Sequence, residues 1–484
     1  MTRLRVKKLS LRRRHPFGYC ASDMRREIRL KKDIVRLIKY HSRIDLQHVE
    51  RRALADLIEA HLRLLQDLQI NPPELTFVVR GGRKYFLYKL TPIPRKNLRI
   101  HKLVENDVAV DFRFRSRDEL RQLSNAFGFQ EWYRYRDSKG KGGHKFHGEE
   151  VLLCGLYRLH MPVIFGDAAW RTFFGFSYSR ASKCFQIFCQ HMKDNWAYLL
   201  LDNINFWKPY LKDCARSIGM KLNELGLVDL DPERFGVFGF IDNTCNAACR
   251  PGGGPTRDGV NAPRNNPLIQ RAFYNGWKKL HGTKWQTVDL PNGMIFHAWG
   301  PCSLRHNDLW TLNKSEITDL IRDADIDLAI YGDSAYIVKI GEHLKARHHY
   351  ADITEIEIAE NKHISSCREI IEWDYGGIKN TFKAVNFRFL LKLRRQPVTD
   401  MFLIAMILFN AKCCLHGNQT STYFALPPPS SGQWVSQGPR PLSAEAAARL
   451  RIGPDPAQAY LPDMEVDEND LNGFDLEEFN NFEF

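Results

Sequence analysis

An α/β domain built on a mixed sheet flanked by helices, with a helical region ahead of it, is the fold class this sequence predicts. Three observations carry the prediction. Two apolar runs, FGVFGFIDNT at 235–244 and LAIYGDSAY at 328–336, each read as a buried strand that stops on a carboxylate. Between them, KWQTVDL and MIFHAWG flank Pro291, Asn292 and Gly293, the pattern of an antiparallel hairpin with an Asn-Gly turn. Helical periodicity then runs from Asp308 to Ala324 and returns beyond Asp333.

The chain has 484 residues, more than one core usually supports, so two or three domains are expected. Its longest apolar run, MFLIAMILF at 401–409, is about half of the ~20 residues a bilayer requires and reads as a buried helix, and no apolar secretory segment opens the chain. A membrane partner is therefore not expected. Eleven cysteines at irregular spacings suggest reduced thiols and a nuclear or cytosolic compartment. Cys245 and Cys249, with His297, Cys302 and His306 further on, raise a zinc site, but no second CxxC pair completes one. The formal charge of +14 becomes +24 on residues 1–451 once the ten acids of the remainder, which has no Lys or Arg, are set aside. A polyanion is the natural partner of such a surface.

Along the chain, MTRLRVKKLSLRRRH carries seven basic residues before the first acid at Asp23 and reads as a solvated arm, either a nuclear import signal or a phosphate clamp, with an Arg-rich transit peptide as the rival. Leu54, Leu57, Ile58, Leu62 and Leu65 recur at helical spacing until Asn71, Pro72 and Pro73. TFVVRGGRKYFLY at 76–88 suits a tight hairpin around Gly81 and Gly82. SKGKGGHKFHG at 138–148 is a linker candidate. These segments make up a basic, partly helical region over residues 1–145. From 146 to 225 the pattern is helical. In SYSRASKCFQIFC, Phe185 and Phe188 face a core while Arg180 and Lys183 lie near the start, the layout of a helix-turn-helix whose last helix enters the major groove, although a plain helical bundle would look much the same. Residues 417–442, rich in Pro, Ser and Gly, read as a linker, and 443–484 as a short helix and an acidic, disordered tail able to fold onto a partner or onto the protein's own basic face.

Over residues 230–416 the order is strand with Asp242, antiparallel hairpin, helix, strand with Asp333, then further helices. That is the order of a ribonuclease H-like domain. SSCREIIEWDYGGIKNTF opens with a capping box of Ser366 and Glu369, which puts Glu369 and Glu372 on a helix, one of them able to face the two aspartates. Three carboxylates from separate elements are what two Mg²⁺ ions need, with Mn²⁺ as a substitute, to drive an in-line displacement at phosphate. Asp308 reads as a helix cap and His306 as a polar residue bordering the site.

At these residues the sequence resembles the Harbinger-type DDE transposases, whose relatives include a harbinger-derived nuclease. FIDNT, FYNGWKKLHGTKWQTV, the RHND at 305–308, YGDSAY and REIIEWDYGGIKNTF followed by AMILFNAKCCLHGN carry the resemblance over residues 235–416. It implies cleavage of transposon-end DNA and strand transfer into a target, with Asp242 and Asp333 as the first two metal-binding acids. Glu372, followed by Tyr375, Gly376 and Lys379, matches the third, with Glu369 as rival. Arg368 matches a basic residue of the same motif, and Lys278, Lys279, His281 and Lys284 are implied as DNA contacts. The resemblance further implies a separate Myb-like DNA-binding partner and a three-base target duplication; a homo-oligomer and a nuclear location are expected beside it. The first aspartate is followed here by Asn and Thr where relatives often have Gly, and CNAACRPGGGP lengthens the loop behind it. Two other functions compete: a domesticated, noncatalytic DNA-binding protein, and a nuclease that cuts without strand transfer.

Overall fold

The computed structural model describes residues 96–450, apart from 136–142, 163, 166–169, 228–229, 252–253, 256–260, 263–269, 272, 349–352 and 394–395, together with two strands upstream. The basic arm, the leucine stripe at 54–65 and the acidic tail lie outside the described residues. The chain divides into two compact units, Met1–Asn97 with Phe165–Ser182, and Leu98–Ile164 with Lys183–Phe484. This division does not coincide with the boundaries read at 145 and 225.

In the first unit, β1 (Leu75–Arg80) and β2 (Arg83–Tyr88) pair antiparallel with Arg80 opposite Arg83. The hairpin anticipated around Gly81 and Gly82 is therefore present, with a two-residue connection. Trp170, Phe174 and Phe176 form a small aromatic cluster in this unit, the first two rings 5.3 Å apart.

The second unit opens with α1 (Glu105–Phe112) and α2 (Arg117–Ala126), the latter capped by Ser116, whose hydroxyl accepts from the Glu119 amide. Strands β3 (Trp132–Tyr135) and β4 (His144–His147) form an antiparallel pair, so the end of the glycine-rich stretch read as a linker is a strand. Then come α3 (Gly148–His160), begun by a capping box of His147 and Glu150, and α4 (Tyr178–Trp196), which belongs to this unit from Lys183 onward. Gly155 lets these two helices meet, because a Cβ there would stand 2.3 Å from the Phe188 ring. Beyond two short α-helical turns, α5 (Leu211–Glu224) packs on the sheet.

That sheet runs β10 (Ile295–Ser303), β9 (Leu280–Asp289), β5 (Val237–Ala248), β11 (Ala329–Tyr331), β12 (Leu344–Lys345), with β8 (Tyr274–Asn275) added beside β9. The β5, β9 and β10 strands are antiparallel neighbours, whereas β11 lies parallel to both β5 and β12. A mixed sheet of this order with helices against it is consistent with the ribonuclease H-like arrangement expected. The short pair β6 (Gly254–Pro255) and β7 (Asn261–Ala262) sits in the loop after β5. The turn at Asn292 forms as anticipated: Gly293 adopts φ +81° and the Asn292 side chain accepts from the Met294 amide at 3.1 Å.

Helices α6 (Asp308–Ser315) and α7 (Ile317–Asp323) precede β11, and α8 (Glu355–Arg368) and α9 (Ile370–Thr381) follow β12. The capping box stands at Thr354 and Glu357, not at Ser366 and Glu369, which fall inside and at the end of the helix. Helix α10 (Val398–His416) is long and apolar enough to cross a membrane by length and composition, yet its residues 401–411 are buried in this unit. Its one deep polar group, Asn410, accepts from the Ile295 amide at 2.9 Å and donates to the Ile295 carbonyl at 2.8 Å.

The linker expected over 417–442 is instead folded onto the unit. Helices α11 (Gln419–Tyr423) and α12 (Ser431–Trp434) lie there, Trp434 is wholly buried, and Arg440 stacks 4.0 Å above Tyr198 while donating to the Asp202 carbonyl at 2.9 Å. Its prolines end helices without freeing the chain, because apolar anchors recur between them. A further helix, α13 (Ala444–Leu450), follows.

Candidate active site

Register brings the first two acids together. In β5, Val237, Phe238, Phe240 and Ile241 are buried, as a central strand requires. Its parallel neighbour β11 pairs Tyr331 with Phe240. Asp242 and Asp333 each lie two residues beyond that pair, so adjacent parallel strands deliver both carboxylates to the same edge. At that edge one Asp333 oxygen accepts from the Ala335 amide at 2.9 Å, capping the short 3₁₀ turn Ser334–Lys339. Gly332 makes this turn possible, since a Cβ there would meet the Tyr336 ring at 2.5 Å. Tyr336 in turn accepts a hydrogen bond from the Asn243 side chain at 3.0 Å.

Asp242 is more deeply set. Its Oδ1 accepts from the Asn243 amide at 2.6 Å and its Oδ2 from Arg368 Nη1 at 3.1 Å. Burial nevertheless pushes the carboxyl up to about 6, against the pull of these two donors, and the charges of Asp333 and Asp308 push the same way. Asp308 therefore belongs to the same acidic neighbourhood. It is the first residue of α6, whose cap is Asn307, and it pairs with Lys284 at 2.9 Å.

Helix α9 lies along β5. Glu369 joins α8 to α9 with helical angles (φ −56°, ψ −17°), so residues 368, 372, 375 and 379 follow the spacing of one helical face. Three of the four touch β5: Arg368 at Asp242, Tyr375 donating to the Asp242 carbonyl at 3.1 Å, and Lys379 donating to Thr244 Oγ1 at 2.9 Å. Glu372 is the fourth, on the face that meets the acids, whereas Glu369 is on another. Yet Glu372 is solvent-exposed, and among the described residues no three His, Cys, Asp or Glu side chains are grouped closely enough to hold a metal ion. The single cage of Asp242, Asp333 and Glu372 anticipated from the sequence is thus not gathered here: Arg368, one turn earlier, takes the Asp242 carboxylate, and Glu372 stays at the rim. In kind, paired carboxylate oxygens suit a hard divalent ion such as Mg²⁺. In number, the pair has no third acid grouped with it among the described residues.

The expected DNA contacts divide. Lys278 and Lys279 are exposed at the tip of the β8–β9 hairpin, and Lys278 Nζ reaches Cys245 Sγ on β5 at 3.1 Å. That contact, more than the nearby charges of Asp308 and Asp242, holds the Lys278 ammonium above its ordinary range. Lys284 is not available to phosphate: it sits in the middle of a strand buried from Gly282 onward, where Asp308 neutralises it and the His306 carbonyl accepts from its ammonium. His281 lies against Tyr274 at 4.9 Å, and burial, followed by Arg250, pulls its ring below the usual histidine range, so at neutral pH it offers no standing charge. Arg180 is also buried, its guanidinium 4.9 Å above the Phe176 ring, because its helix turns that side inward. Lys183 lies over the Tyr135 ring at 5.0 Å.

Sequence reasoning did not single out a second pair of acids. Asp289 on β9 and Asp374 on α9 are both fully buried. Asp374 accepts from Thr420 Oγ1 at 2.9 Å and from Asn418 Nδ2 at 3.3 Å, while both Asp289 oxygens lack a well-formed hydrogen bond among the described residues, only the Thr287 hydroxyl pulling that carboxyl down. Burial pushes both carboxyls up, and the charge of Asp289 adds to the rise at Asp374. The one signal in the sequence was an Asp within the apolar stretch EIIEWDYGGI.

Residues 257–410 match a family model described as DDE superfamily endonuclease. The matched span contains Asp333 and Glu372 and begins downstream of Asp242. No curated protein and no solved structure matches the chain. The match supports a DDE-type nuclease or transposase domain, a class that acts on DNA and generally uses divalent metal.

Proposed function

We propose that this protein is a Harbinger-type DNA transposase or endonuclease that cleaves element ends and joins them to target DNA. The observation that carries the reading is the placing of Asp242 and Asp333 at one sheet edge with the Glu372 face of α9 laid against it. Asp242 and Asp333 would hold the divalent metal, Glu372 would complete its ligands, and the bound metal would activate the attacking oxygen and stabilise the leaving one. The protein's own groups have distinct tasks. Arg368 neutralises Asp242 and stands ready to transfer to an incoming phosphate. Tyr375, held by Thr287 Oγ1 at 2.7 Å, fixes the Asp242 backbone. Lys278 and Lys279 bind the DNA backbone beside the acids. A nuclear location, a Myb-like DNA-binding partner, self-association and a DNA-contacting role for the region before the sheet belong to the same proposal.

The test is cleavage of duplexes bearing the element's own ends in Mg²⁺ or Mn²⁺. Asp242→Ala, Asp333→Ala and Glu372→Ala should each abolish cutting and leave DNA binding in place. Unchanged cutting by Asp333→Ala would overturn the assignment. The exposed position of Glu372 also favours a second reading, a noncatalytic DNA-binding protein. Metal-independent DNA binding with no cutting by the wild type, assayed with its partner protein present, would select it.

A further inference from the structure

Trp277 is 93% exposed, the most exposed large apolar side chain among the described residues. An indole left in water forgoes the burial that makes tryptophan useful elsewhere in a fold. Nor is its position the accident of a loose loop. It sits at the tip of the β8–β9 hairpin, whose strands pair Asn275 with Leu280. The tip is pinned from both sides: the Asn275 side chain accepts from the Lys278 amide at 2.7 Å and donates to the Leu304 carbonyl at 2.7 Å. Lys279 closes the turn in the left-handed region at φ 51°.

The same tip reaches the acids. Lys278, the next residue, contacts Cys245 on β5 at 3.1 Å. Cys245 is three residues beyond Asp242, on the order of 10 Å along the strand. Trp277 is thus held a few nucleotides from any phosphate that meets Asp242, at about 3.4 Å per nucleotide, and the two residues that follow it, Lys278 and Lys279, are both cationic. An exposed flat ring beside cations, on a rigid support, matches the stacking platform that binds an unpaired base while neighbouring charges grip the backbone.

We propose that Trp277 stacks on an unpaired base of the bound DNA strand next to the point of cleavage. This rests on the DNA-cleaving reading above. It adds a preference for DNA whose bases are splayed or single-stranded there, a preference that neither the acids nor the lysines supply.

The experiment uses the full chain and two synthetic DNAs of one sequence, a blunt duplex and a duplex ending in a four-nucleotide overhang carrying 2-aminopurine, with binding read by anisotropy and stacking by aminopurine quenching. Wild type should prefer the overhang and quench the probe. Trp277→Ala should weaken overhang binding by about tenfold, abolish the quenching and leave blunt-duplex binding unchanged, while Trp277→Phe keeps most of both. Equal overhang binding and quenching in Trp277→Ala overturns the proposal, as does an equal loss on both DNAs, which would mark a contact of another kind. Retained overhang preference, with no metal-dependent cutting of the element's own ends when the partner protein is present, would leave the stacking in place and sink the nuclease reading. No DNA binding by wild type sinks both.

Discussion

Gly332 shows how little room separates the second acid from its surroundings. A methyl group there would have to displace the Tyr336 ring, which is wholly buried and bonded to Asn243, the neighbour of Asp242. Gly332→Ala is therefore expected to cost about 1–3 kcal/mol in chemical denaturation and to cut cleavage more than DNA binding; wild-type stability would show that the turn relaxes freely. Asp289 offers a test by pH. Burial raises its carboxyl in the folded state above the ordinary value of about 3.9 in the unfolded chain. The folded protein then holds the extra proton, so this contribution is fully present below about pH 4 and fades as pH rises towards the folded value. Asp289→Asn keeps the shape and removes the charge. It should flatten the decline and, between pH 5 and pH 8, recover on the order of 2 kcal/mol in urea titrations. A variant whose stability tracks the wild type at both pH values would show that the decline does not come from Asp289 and belongs to its buried neighbour Asp374, whose carboxyl is raised as well.

At the scale of elements, α9 fixes the site by lying along β5. Tyr375→Phe removes the hydrogen bond to the Asp242 carbonyl and the one shared with Thr287. A loss of about 1–2 kcal/mol, with metal-dependent activity falling while DNA affinity holds, is expected; an activity equal to wild type would make the contact incidental. This part of the fold was readable in the sequence because its signals are local: two strands ending in Asp, an Asn-Gly turn, and acids at helical spacing. Other parts were not. Thr354 with Glu357 and Ser366 with Glu369 carry the same capping signature, and only packing chooses the first. Spacing also fails at a finer level. It marks a basic residue but not whether the side chain is turned inward, as at Arg180, or neutralised by an acid, as at Lys284. Residues 417–442 have the composition of a spacer, and their docking depends on Trp434 finding a site formed by distant segments. Trp434→Ala should cost about 3–5 kcal/mol, measured by urea unfolding; a neutral result would restore the spacer.

For the whole molecule, charge is the argument that needs least structure. Residues 1–451 carry +24 and the remainder −10, a separation that favours DNA on one part and repels it from the other. The repulsion acts through solvent, so it fades once the screening length drops from about 10 Å at 0.1 M salt to about 3 Å at 1 M. Ending the chain after Arg451 removes ten acids and none of the hydrogen bonds or ion pairs described above. The shortened protein should bind a blunt duplex several-fold more tightly at about 50 mM salt, with the two affinities converging as salt approaches about 0.5 M. Direct competition by the tail for the DNA-binding face would give the same sign, because both mechanisms are electrostatic. The two separate when the tail is supplied as a free peptide: competition predicts that the peptide weakens binding by the shortened chain, and repulsion through solvent predicts no effect. If both chain lengths bind equally at low salt, the tail lies too far from the basic surface to influence it, and its acids serve a partner rather than this protein's own hold on DNA.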